Sequence, residues 1–116
     1  MTVLDRQHAS PEDSFPGVDR WTYVNGDMGA DSLSVMELNM AEGSEVPTHT
    51  HPTEEAMVVL DGRLEALVGE RVVTVEPGQT ILARPGVKHG LVNRSGEPAK
   101  LMAIFPTARV VRNPAD

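Results

Sequence analysis

At 116 residues the chain is long enough for one domain with a modest core. It has no cysteine, which excludes disulfides and thiolate metal sites, and its formal charge of −7 argues against nucleic acid and anionic membrane surfaces as partners. No apolar run approaches the roughly 20 residues of a membrane span, the N-terminus lacks the apolar stretch of a secretory signal, and the expected location is the cytoplasm.

Residues 1–19 are polar and broken by Pro11, Pro16 and Gly17, so they read as an N-terminal arm. A β domain is expected over residues 20–106, followed by a weakly patterned tail over 107–116. Trp21 to Val24 reads as a first strand, stopped by Asn25-Gly26. Ser34 to Met40 alternates, with Met36, Leu38 and Met40 on one face and Val35, Glu37 and Asn39 on the other. Gly43 to His51 is a third strand, in which Pro47 suggests an edge or a bulge. Glu55 to Leu60 is a fourth, apolar on both faces after Glu55, and Asp61-Gly62 is expected to close a hairpin.

Arg63 to Val68 and Arg71 to Val75 flank a turn at Gly69-Glu70. Thr80 to Ala83 and Lys88 to Val92 flank Arg84-Pro85-Gly86, and Leu101 to Phe105 closes the domain. Nowhere do twelve or more residues carry helical periodicity. Short strands with Gly and Pro turns indicate an all-β barrel or sandwich with short or no helices. The blocks 43–62 and 78–93 share a layout and read as two Greek-key halves.

Three of the four histidines and one glutamate are spaced as metal ligands: His49, His51, Glu55 and His89. Residues i and i+2 of a strand face the same way, roughly 6.5 Å apart. His49 and His51 therefore offer two imidazoles to one point, with Glu55 and His89 supplied by neighbouring strands. Imidazole nitrogen and carboxylate oxygen suit a divalent transition metal, and iron, manganese, nickel, cobalt and zinc all accept this set. Alternation turns Glu54 away from Glu55, leaving Glu54 either in solvent or behind an imidazole as an orienting partner. His8, in the arm, is left outside the site.

These residues resemble the two motifs of the cupin family. Gly43, His49, His51, Glu55 and Gly62 meet the first motif. Gly78, Gly86, His89 and Asn93 meet the second, while Arg84 stands where the pattern has proline. The resemblance implies a double-stranded β-helix, that is, a jelly-roll barrel, with the metal held inside by His49, His51, Glu55 and His89. Among look-alikes that ligand set most often serves dioxygenase-like oxidoreductases acting on small molecules; isomerases, decarboxylases and cyclases share the scaffold. A non-catalytic module for a metal or small ligand, and a purely structural metal, are the other readings.

Met36, Met40, Met57 and Met102 are expected inside the barrel, as core filling or as an adaptable pocket wall. Asn93 is either a second-motif partner near the site or a turn residue. Arg84 reads as a turn residue or as a cation at a cavity mouth, and Lys88 as solvent-facing. The outward stripe Ala56, Val58 and Leu60, together with the arm, suggests a homodimer.

Overall fold

The computed structural model describes residues 1–115. It is all-β: two antiparallel sheets, with only two three-residue 3₁₀ turns, Pro11–Asp13 and Gly26–Met28. The strands are β1 (Gln7–His8), β2 (Val18–Val24), β3 (Ser34–Met40), β4 (Glu45–Thr50), β5 (Glu55–Asp61), β6 (Leu64–Val68), β7 (Arg71–Val75), β8 (Thr80–Ala83), β9 (His89–Val92), β10 (Ala99–Phe105) and β11 (Asn113–Pro114). One sheet runs β1-β2-β3-β10-β5-β8 and the other β11-β4-β9-β6-β7. Among the described residues no helix is long and apolar enough to cross a membrane.

One hairpin expectation needs correcting. β5 and β6 do not pair; they lie in different sheets, and Asp61-Gly62 is the corner where the chain changes sheet. The Asp-Gly signal reports a tight bend, not the partner of the strand that follows. Gly62 has φ +76° there, and a Cβ would sit 2.4 Å from the Pro98 carbonyl oxygen. The Gly69-Glu70 turn, by contrast, is a two-residue hairpin, with Val68 opposite Arg71.

Alternation in β10 sorts the two faces of the larger sheet. Ala99, Leu101, Ala103 and Phe105 are buried, while Lys100, Met102 and Ile104 face out and are half-buried. Met102 is therefore not an interior residue; its register partners are Glu37 on β3 and Val58 on β5. Between the sheets, Met40, Val59, Leu64 and Leu101 are almost completely buried and fill one end of the barrel. The other end begins at Ala103 and Phe105 and carries the polar residues described below.

The arm and the tail both join the sheets. β1 pairs with β2 at Thr22 and Trp21, and the Arg6 guanidinium stacks 4.0 Å from the Trp21 ring centre. β11 pairs with β4 at Thr50 and His49. On the outer face, buried Glu37 accepts hydrogen bonds from the Tyr23 hydroxyl (2.6 Å) and the Asn39 amide (2.6 Å), with Arg6 at 3.4 Å. The Tyr23 and Asn39 hydrogen bonds hold the Glu37 carboxyl below its ordinary pKa of 4.5.

A lowered folded-state pKa means that ionised Glu37 adds stability above its unfolded pKa, and that this stability is lost as pH falls through the lowered value. Glu37→Gln is expected to cost about 1–3 kcal/mol at neutral pH and to flatten the acid limb of the stability curve. Urea unfolding at a series of pH values checks this; an acid limb identical to that of the parent chain contradicts it.

Candidate metal centre

His49, His51, Glu55 and His89 meet at one point between the two sheets. All four are buried, and one ligand-capable atom from each lies within 4.8 Å of the others. His49 and His89 are direct cross-strand partners on β4 and β9. Glu55 opens β5, and its Oε1 is 2.9 Å from His89 Nε2 and 3.4 Å from His51 Nε2. Adjacent ligand atoms about 2.1 Å from an ion stand about 3 Å apart, so these separations fit neighbouring positions around one metal.

Backbone carbonyls fix the orientation of each imidazole. His49 Nδ1 donates to the Pro47 carbonyl (2.8 Å), His89 Nδ1 to Val87 (3.0 Å) and His51 Nδ1 to Val111 (2.7 Å). A carbonyl only accepts, so each Nδ1 carries the hydrogen and each Nε2 is left for the centre. The Phe105 ring packs edge-on against His51, centroids 4.9 Å apart.

Local sequence explains the first of these bonds. Pro47 has no N–H to give the ladder, and the β4–β9 register shifts between Val46 and His49. The resulting bulge turns His49 inward and brings its Nδ1 to the carbonyl two residues back. The bulged backbone passes so close to β9 that a Cβ on Gly90 would lie 3.0 Å from the Val46 carbonyl oxygen and 3.3 Å from Thr48.

The electrostatics suit a cation. Burial pushes the His49 imidazole down to about 4, so it is neutral at physiological pH, as a ligand must be. Burial also works to lower His89, but the Glu55 hydrogen bond and charge, with the Val87 carbonyl, outweigh it and raise the His89 pKa. The buried carboxylate thus favours positive charge at the point where the imidazoles converge.

The four ligand-type residues form part of the wall of a cavity of about 190 Å³. Met36 and Met57 line it, with Leu38, Leu91 and Phe105. Met40 does not: it is fully buried in the apolar end of the barrel. Among the described residues neither orienting candidate hydrogen-bonds to a ligand-type side chain. Glu54 is exposed. Asn93 is fully buried but donates to the Met40 and Glu97 carbonyls (3.0 and 2.8 Å) and accepts from Ser95, tying the turn after β9 to the end of β3. Arg84 and Lys88 are exposed, and neither lines the cavity.

Sequence reasoning overlooked three contributors: the tail carbonyl of Val111, and the side chains of Arg20 and Arg112, which line the same cavity. Arg20 has a signal in hindsight, because it alternates with Val18 on the inward face of β2. The tail has none, because a main-chain carbonyl carries no residue-type signature.

The Cupin domain family model matches residues 36–105, which hold every ligand candidate. The chain belongs to the cupin family. Germin-like protein 1 of Brassica napus is 32% identical over 82 residues, covering 66% of this cupin and 40% of that protein; the chain thus spans well under half the length of that relative. The polyketide cyclase RemF from Streptomyces resistomycificus superposes with a TM-score of 0.84 at 20% identity, covering 100% of this chain and 86% of that one. Lactobacillus farciminis oxalate decarboxylase, in a formate complex, gives a TM-score of 0.81 at 16% identity, covering 94% of this chain and 33% of that one. At such identities the superpositions establish the double-stranded β-helix fold.

Three substitutions test the centre. Glu55→Gln is expected to lower affinity for zinc or iron(II) at least tenfold, whereas Glu54→Gln leaves it unchanged. Gly90→Ala, which displaces the His49 bulge, is expected to weaken affinity about tenfold or more, as lost orienting contacts do. Competition with a chromophoric chelator reads all three; loss with Glu54→Gln but not with Glu55→Gln contradicts the assignment.

Proposed function

We propose that this cupin is a metal-dependent enzyme acting on a small organic molecule, with oxygen-dependent oxidation as its reaction class. The observation that carries the reading is the position of the four buried ligand-type residues in the wall of a cavity. A structural metal site closes its coordination sphere, whereas a catalytic one keeps positions open toward a substrate. When bound, a divalent metal supplies Lewis acidity and, for iron or manganese, redox chemistry.

The protein's own side chains hold and orient. Pro47, Val87 and Val111 keep the imidazoles aimed, and the apolar wall excludes water from whatever binds beside them. Apart from the ligand set, Asp13 is the only carboxylate among the described lining residues, and it is exposed. There is no cysteine and no spare histidine at the cavity for nucleophilic or general-base work. This supports chemistry carried by the metal and a co-substrate over protein acid–base chemistry. Two structural neighbours are enzymes by name, a cyclase and a decarboxylase, and both reactions remain arms of the test.

Protein loaded anaerobically with iron(II) is expected to consume dissolved oxygen saturably with at least one member of a panel of phenols and small organic acids, and Glu55→Gln is expected to abolish this. Equal turnover with zinc would reassign the chemistry to a non-redox reaction. No turnover with iron, manganese, nickel, cobalt or zinc would make the chain a binding module.

We propose further that two copies pair through the outer face of the six-stranded sheet. Leu60 and Leu82 are 47% and 53% exposed there, beside half-buried Ala56, Val58 and Ile104. Light scattering at micromolar concentration is expected to give twice the 12.5 kDa chain mass; a monomer contradicts the pairing.

A further inference from the structure

The cavity beside the four ligand-type residues contains two arginines that the metal does not explain. Arg20 comes from β2 and Arg112 from the tail, next to the Val111 carbonyl that orients His51. Both are half-buried, and the Nε atom of each is buried without a hydrogen-bond partner. Among the described residues neither guanidinium forms an ion pair. Arg112 makes one long bond, from a terminal nitrogen to the Pro47 carbonyl (3.3 Å), and lies 4.8 Å from the Phe15 ring centre.

Withdrawing part of an unpaired guanidinium from water is costly, and withdrawing two is more so. Glu55, Asp13 and Glu37 could offset the cost, and none does. Glu55 is engaged with His51 and His89. Asp13 lines the cavity but is exposed and accepts from the Ser10 hydroxyl (2.7 Å). Glu37 lies on the outer face of the sheet. The described side chains therefore supply no anionic partner for either guanidinium. A guanidinium fork matches a carboxylate with two parallel hydrogen bonds. Apart from Ser14, the rest of the wall, including Phe15, Met36, Met57 and Phe105, is apolar.

We propose that Arg20 and Arg112 form an anion-binding end of this cavity, and that its ligand is a small organic carboxylate with an apolar body. Placing the other end of that ligand at the metal rests on the enzymatic reading above; the arginine pair stands without it. The pair then acts as a specificity determinant: it selects for negative charge and sets which part of the molecule reaches the four ligand-type residues.

Benzoate and its neutral isostere benzamide are suitable probes, titrated calorimetrically into chelator-treated and zinc-loaded protein. Benzoate is expected to bind in both states and benzamide at least tenfold more weakly. Arg20→Gln and Arg112→Gln are each expected to weaken benzoate roughly tenfold or more, the scale of a lost charge-assisted hydrogen bond, without changing benzamide binding. Arg20→Lys, which keeps the charge and loses the fork, should fall between. Circular dichroism and zinc stoichiometry on each variant separate loss of the fold or of the metal from loss of the anion site. Three results would overturn the proposal: no benzoate binding at millimolar concentration, equal affinity for benzoate and benzamide, or wild-type benzoate affinity in folded Arg20→Gln and Arg112→Gln. Arginine-dependent benzoate binding by a protein that takes up no zinc would leave this inference standing and overturn the metal reading instead.

Discussion

Three buried Nδ1–H groups, each donated to a main-chain carbonyl, are the constraint on which the site depends. They make His49, His51 and His89 present Nε2 to one point, where the Glu55 carboxylate is waiting. The carbonyls come from three different places: the β4 bulge at Pro47, the loop before β9 at Val87, and the tail at Val111. The centre is therefore not a property of one strand. It exists only when the two sheets and the tail are all assembled, which couples metal affinity to folding.

The barrel divides its interior between two tasks. At one end Met40, Val59, Leu64 and Leu101 are packed almost without exposure and supply the hydrophobic stabilisation that the other end cannot. At the other end are four polar ligand-type residues, two arginines and empty volume, all of which cost stability. β5 and β10 cross both regions. Along β10, Ala99 and Leu101 serve the core while Ala103 and Phe105 serve the chamber; along β5, Glu55 and Met57 serve the chamber and Val59 the core. A rigid strand that is core at one end and site at the other holds the site with little freedom.

What the sequence made legible follows from what side-chain identity can encode. Strand alternation and turn residues gave the β architecture, and motif spacing picked out His49, His51, Glu55 and His89, because ligand chemistry restricts residue type at fixed intervals. Alternation also separated Glu54 from Glu55. Two expectations fail, one on topology and one on strand parity. Asp61-Gly62 announced a bend but not the sheet that the next strand would join. Met102 is expected with the interior methionines, but its parity on β10 places it on the outer face. Of the two readings open for Asn93, the turn residue holds: it ties the turn after β9 to β3. The tail escaped notice because its contribution is a carbonyl and a single arginine in a segment without periodicity.

X-ray absorption at the metal edge of protein loaded with one equivalent of zinc tests the central claim most directly. The account predicts three imidazoles, seen by their outer-shell scattering, and a carboxylate oxygen, all at about 2.0–2.2 Å, with one imidazole lost in His51→Ala. A bound zinc with fewer than two imidazoles, or a spectrum unchanged by that substitution, would contradict it.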